Sequence, residues 1–120
     1  MFFLEAKLLE TDFVNVANKN EVPAGKTKKA KLGDKEVLLA NVGGNYFAIG
    51  ARCTHKNGDL TQGSLEGNIV TCPNHGAKFD VTTGKVVSGP KMGFFHSKID
   101  DEPTYIVKVE NEDILIKQGT

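Results

Sequence analysis

Apolar residues in this chain come in short strand-like runs, broken repeatedly by Gly, Asn, Asp or Pro, and no sustained 3.6-residue stripe occurs. The clearest signal is Glu36–Val42 (EVLLANV), then Gly43-Gly44-Asn45, then Tyr46–Ala51 (YFAIGA): two strand-forming runs joined by residues suited to a tight hairpin turn. Tyr105–Val109 (YIVKV), Asn111-Glu112-Asp113 and Ile114–Lys117 (ILIK) repeat the pattern near the C-terminus. Between them, Ile69-Val70-Thr71 reads as a short strand ending at Cys72, and Lys78–Val81 with Lys85–Ser88 as a hairpin around Thr82-Thr83-Gly84. Turns are expected at Glu21–Gly25, Gly33–Lys35 and Ser64–Asn68. Lys26–Lys31 reads as an edge strand whose lysines are solvated. Phe2–Val16 fits one or two strands or a short helix, with Phe3–Leu9 favouring a strand. Together these predict an all-β fold: a small antiparallel sandwich or partly open barrel, one domain over residues 1–120, with residues of about 51–90 inserted as a subdomain.

Composition adds little beyond exclusions. A chain of 120 residues that is 39% hydrophobic and 25% charged suits one soluble globular domain with a modest core. Lys plus Arg (15) balances Asp plus Glu (15), so no overall field points to nucleic acid or to a membrane surface. The apolar runs are too short to span a bilayer, and the N-terminal stretch MFFLEAKLLE lacks the layout of a signal peptide; a cytoplasmic location is the expectation. There is no G-x-G-x-x-G for a dinucleotide and no evident nucleophile–base pair.

The chemistry is concentrated in two clips, Cys53-Thr54-His55 and Cys72-Pro73-Asn74-His75, which hold both cysteines of the chain and two of its three histidines. Each offers one soft thiolate and one imidazole. A Cys53–Cys72 disulfide is one possibility, but it leaves the matching histidines unexplained. A structural zinc site is another; finger-type sites, however, usually pair Cys with Cys and His with His, whereas each clip here is mixed. The third is a [2Fe–2S] cluster in which two Cys hold one iron and two His the other.

At these residues the chain resembles the Rieske family: C-T-H, sixteen residues, then C-P-N-H-G, followed by the turn Phe79–Gly84 and Ser88-Gly89-Pro90. The resemblance implies one Rieske-type [2Fe–2S] cluster per chain, with Cys53 and Cys72 on the inner iron and His55 and His75 on an outer, exposed one. It also implies that the 51–90 subdomain binds the cluster. Replacing two thiolates by neutral imidazoles makes a cluster easier to reduce, to about −150 to +300 mV against about −400 mV for plant-type ferredoxins. Gly58, Gly63 and Gly76 are expected to let the loops turn backbone N–H groups toward the sulfurs, and Pro73 and Pro90 to stiffen them.

The departures are informative. Respiratory-chain members of the family carry an extra Cys in each loop and hydroxyl donors to the cluster; here Asn74 stands in the second clip, and Ala77 and Phe79 occupy the donor positions. Fewer donors to sulfur mean a lower potential, as in the ferredoxins that serve oxygenase systems. The resemblance therefore implies a one-electron carrier, not itself an enzyme, between a flavin-dependent ferredoxin reductase and a terminal oxygenase. A small Rieske subunit of a nitrite-reductase-like complex and, in a different class, a zinc-stabilised interaction module are the alternatives. Once the clips are assigned only His96 is left, so the two-His, one-carboxylate iron site of an oxygenase cannot be assembled. In Lys91–Pro103, Met92, Phe94 and Phe95 are expected to cover the core or to form an apolar lip for a partner, and His96 to face solvent.

Overall fold

The computed structural model describes residues 12–54, 57–89 and 99–119. The expected strand at Phe3–Leu9, and Met92, Phe94, Phe95 and His96, lie outside these residues. The described chain is almost entirely antiparallel β. Strands β1 (Val14–Asn18), β2 (Thr27–Leu32), β3 (Lys35–Val42), β4 (Asn45–Gly50), β9 (Thr104–Glu110) and β10 (Asp113–Gln118) form a six-stranded sheet in the order β1-β10-β9-β4-β3-β2. Its terminal strands β1 and β2 lie against each other, so the sheet curls almost into a barrel. Strands β5 (Ser64–Glu66), β6 (Ile69–Thr71), β7 (Lys78–Asp80) and β8 (Val86–Ser88) make a second sheet in sequence order.

The expected hairpins form. Leu32 pairs with Lys35 across Gly33-Asp34, and Val42 with Asn45 across Gly43-Gly44. Asn41, almost wholly buried, secures the second turn: its side chain donates to the Val22 carbonyl (2.8 Å) and accepts from the Gly44 N–H (2.8 Å). One expectation is corrected. Ser64–Asn68 is not all turn; Ser64–Glu66 pairs with Ile69–Thr71, and only Gly67-Asn68 reverses the chain. A three-residue strand with a single apolar residue, Leu65, has too little alternation to show period two in sequence.

Strand β3 explains how the two sheets are joined. Its five consecutive residues Val37–Asn41 are all buried, the mark of a strand covered on both faces. Because side chains alternate, Val37 and Leu39 point into the curled sheet beside Ala30, Ala48, Ile114 and Ile116. Leu38 and Ala40 point the other way and pack with Ile49, Leu60, Val70, Phe79, Cys53 and Cys72. One hairpin thus serves two cores.

Charged groups fasten the chain where it leaves this hairpin. Arg52 grips Glu36 of β3 through two bonds (Nε–Oε2 2.7 Å, Nη2–Oε1 3.0 Å), and Lys29 of β2 bridges Glu36 (3.2 Å) and Asp59 (2.6 Å). The β2 lysines are therefore not simply solvated, as the sequence suggested: Lys29 is tied down. The Arg52 guanidinium, with Lys29, holds the Glu36 carboxyl well below its usual value of 4.5, at about 2. A depressed carboxyl contributes stability above its ordinary value and loses it as pH falls through the folded one. Glu36→Gln is accordingly expected to lower the thermal midpoint at pH 7, with the gap to the unsubstituted protein closing progressively below about pH 4.5; a constant gap from pH 7 to 3 would contradict this.

Candidate metal centre

Cys53 and Cys72 occupy equivalent places in two loops of one backbone design. Cys53 donates its N–H to the Gly58 carbonyl (2.7 Å) and accepts at its own carbonyl from the Asn57 N–H (2.8 Å). Cys72 donates to the Ala77 carbonyl (2.8 Å) and accepts from the Gly76 N–H (3.1 Å). In both loops the residue four places after the cysteine has left-handed backbone, Asn57 at φ 59° and Gly76 at φ 79°. That conformation lets the chain reverse within five residues, and Asn and Gly adopt it at least cost. The design puts each cysteine at a loop's base, and in the second loop His75 follows three places on.

Both cysteines are buried in the inner core, 2% and 3% exposed, and neither is in a disulfide. His75 is half-buried, with exposed Pro73 and Asn74 before it; His55 lies outside the described residues. Among the described residues no three His, Cys, Asp or Glu side chains are drawn together as an ion-binding group. The structure brings the two cysteine loops together and leaves the histidines' part to the donor chemistry.

The loops meet at Gly58. Its carbonyl is bonded to Cys53, while a Cβ on it would stand 2.8 Å from Cys72 Sγ and 2.9 Å from Asn74 Nδ2. Gly58 is thus needed for close approach, not for the backbone freedom expected of it. The same holds for Gly63, where a Cβ would run into the Thr71 carbonyl. Two cysteines buried in one apolar core, with His75 only half-buried, fit a cluster held by cysteine inside and histidine outside.

A third element presses on the first loop. Asp100 accepts from the Thr54 hydroxyl at its carbonyl (2.6 Å), Asp101 from the Val86 N–H (2.8 Å), and the Glu102 carboxylate oxygen Oε2 from the Thr54 N–H (3.1 Å). Glu102 is 5% exposed. Burial pushes its carboxyl up to about 8, outweighing the Thr54 N–H, which pulls the other way. The folded state therefore keeps a proton through neutrality that the unfolded chain would release. That contribution to stability is full below about 4.5 and is lost as pH rises through about 8.

Residues 12–105 match the Rieske [2Fe-2S] domain family. The chain belongs to that family. This Rieske domain is 33% identical over 106 residues to the ferredoxin component of the naphthalene 1,2-dioxygenase/salicylate 5-hydroxylase systems of Ralstonia sp., covering 88% of this chain and 95% of the relative. Its structure is similar to the ferredoxin of carbazole 1,9a-dioxygenase from Nocardioides aromaticivorans IC177, with a TM-score of 0.74 and 25% identity over 89% of this chain and 98% of that one. The same fold recurs in a complex of reduced oxygenase and oxidized ferredoxin in carbazole 1,9a-dioxygenase, with a TM-score of 0.77 and 22% identity over 90% and 96% of the two chains.

Sequence reasoning missed the supports of the site. The left-handed residue of the first loop is Asn57, legible only once the two clips are aligned on their cysteines. Glu102 carried no signal beyond an acid before a proline.

Gly58→Ala in this Rieske domain is expected to cost about 1–3 kcal/mol of stability through overpacking, and so to lower both the thermal midpoint and the iron content per chain. Asn57→Gly should leave both close to unchanged, since glycine takes the same φ without strain. Equal behaviour of the two variants would contradict the close approach at Gly58.

Proposed function

We propose that this chain is a Rieske-type ferredoxin that holds one [2Fe–2S] cluster per chain through Cys53, Cys72, His55 and His75. It passes single electrons from a flavin-dependent ferredoxin reductase to a terminal oxygenase. The observation that carries this reading is the pair of loops with matching backbone hydrogen bonds, each with a buried cysteine at its base, meeting at Gly58. The relatives, which are ferredoxin components or subunits of dioxygenase systems, support the place in such a system. When bound, the cluster supplies a reversible one-electron couple.

The residues do the rest. Cys53 and Cys72 would hold the inner iron in an apolar core that excludes water. His75, at the rim, would put the outer iron near the surface, where a partner can approach within a short transfer distance. The chain catalyses no reaction of its own; it is an electron-transfer component, and a small, transient contact suits that task. We read residues 1–120 as a single cytoplasmic domain with 51–90 as the cluster-binding part.

Purified anaerobically and reduced with dithionite, the protein is expected to contain two irons and two acid-labile sulfides per chain and to give the low-average-g EPR signal of a histidine-ligated cluster. One zinc, no sulfide and no signal would contradict the carrier reading and favour a zinc-stabilised module. A redox titration tests the tuning. Ala77 and Phe79 are buried beside the cysteines, so Ala77→Ser and Phe79→Tyr should each raise the midpoint potential by adding a hydroxyl donor toward sulfur. No rise in either would contradict the low-potential assignment.

A further inference from the structure

The segment 99–103 does more than connect the second sheet to β9. Glu102 stands where four parts of the fold meet. Its N–H donates to the Gly84 carbonyl in the β7–β8 turn (2.7 Å), and the next carbonyl, Pro103, accepts from Gly50 at the end of β4 (2.9 Å). Its side chain reaches the Thr54 N–H, the amide between Cys53 and His55 (3.1 Å).

Two glycines leave room for it. A Cβ on Gly50 would stand 2.5 Å from Glu102 Oε1 and 3.1 Å from the Pro103 ring, and one on Gly84 would strike the Glu102 carbonyl. Gly50 thus leaves space for the buried side chain and Gly84 for the backbone carbonyl, so the placement of residue 102 is built into the fold. Its Oε2 bonds the loop that carries two of the four proposed ligands. Thr54 is further held by its hydroxyl on the Asp100 carbonyl (2.6 Å), so the same short segment fixes both the amide and the hydroxyl of that residue.

We infer that Glu102 is a positioning residue for the metal centre, its buried carboxyl anchoring the Thr54 amide and thereby setting the orientation of the Cys53–His55 clip. This rests on the ligand assignment above. The anchor needs an acceptor at Oε2 and a side chain of this length. Glutamine keeps the length and an acceptor oxygen; alanine removes both. The backbone bonds of residue 102 survive either change. The effect is therefore expected in the geometry of the cluster site more than in the presence of the fold.

The test compares the unsubstituted protein, Glu102→Gln, Glu102→Ala and Gly50→Ala by iron and sulfide content, EPR g-values of the reduced state and midpoint potential. Glu102→Gln is expected to match the unsubstituted protein in g-values. Glu102→Ala is expected to show displaced or heterogeneous g-values and a shifted potential. Gly50→Ala, which leaves the carboxyl in the chain but pushes it out of its notch, should move the same signals in the same sense. If Glu102→Ala yields no folded protein, Gly50→Ala and Glu102→Gln decide the matter alone. A full cluster with unaltered g-values and potential in Glu102→Ala, or in Gly50→Ala where Glu102→Ala does not fold, would overturn the positioning role while leaving the ligand assignment intact. Absence of any cluster in the unsubstituted protein would instead overturn the ligand assignment, and this inference with it.

Discussion

The structure depends on a hairpin, β3–β4, that is buried on both faces. Alternation sends Val37, Leu39 and Ala48 into the curled six-stranded sheet and Leu38, Ala40 and Ile49 into a second core shared with the four-stranded sheet. Burying apolar area at about 25 cal/mol per Å² drives both cores, and because they share a wall neither sheet can shift without disturbing the other. Cys53 and Cys72 belong to the second core. Hydrophobic packing therefore places both cysteines.

Polar groups do a different job at the perimeter. The first loop leaves the dry core through Arg52, which is clamped to Glu36, and Asp59 on its far side is clamped to Lys29. Its middle is held by the 99–103 segment through Thr54. Surface ion pairs of this kind contribute little one by one; their effect here is to restrict a loop whose backbone is mostly outside any sheet. A site that must change charge without changing shape needs such restriction.

Much of this was legible in the sequence. Gly43-Gly44-Asn45 between two strand-forming runs announced a hairpin, and Gly33–Lys35 a tight turn, because only a few turn types suit such residues. The two mixed Cys–His clips pointed to the Rieske family because few centres take that ligand set, and residues 12–105 match that family. What was hidden depends on long-range contact. Asn57 looks like a polar loop residue until its left-handed backbone is compared with that of Gly76. Gly58 looks like a flexible residue until Cys72 Sγ is seen beside it. Glu102, 48 positions from its partner Thr54, has no local pattern at all. Ser64–Glu66, with one apolar residue, is too short to carry a period. Sequence periodicity reports which face is buried; it does not report what waits on the other side.

The central claim is a cluster held by two cysteines and two histidines, and the most direct measurement is pulsed EPR of the reduced protein labelled with ¹⁵N at histidine. The account predicts hyperfine couplings from two histidine nitrogens on the same reduced iron, abolished or reduced to one when His75 is replaced. A reduced cluster with no histidine nitrogen coupling would contradict it.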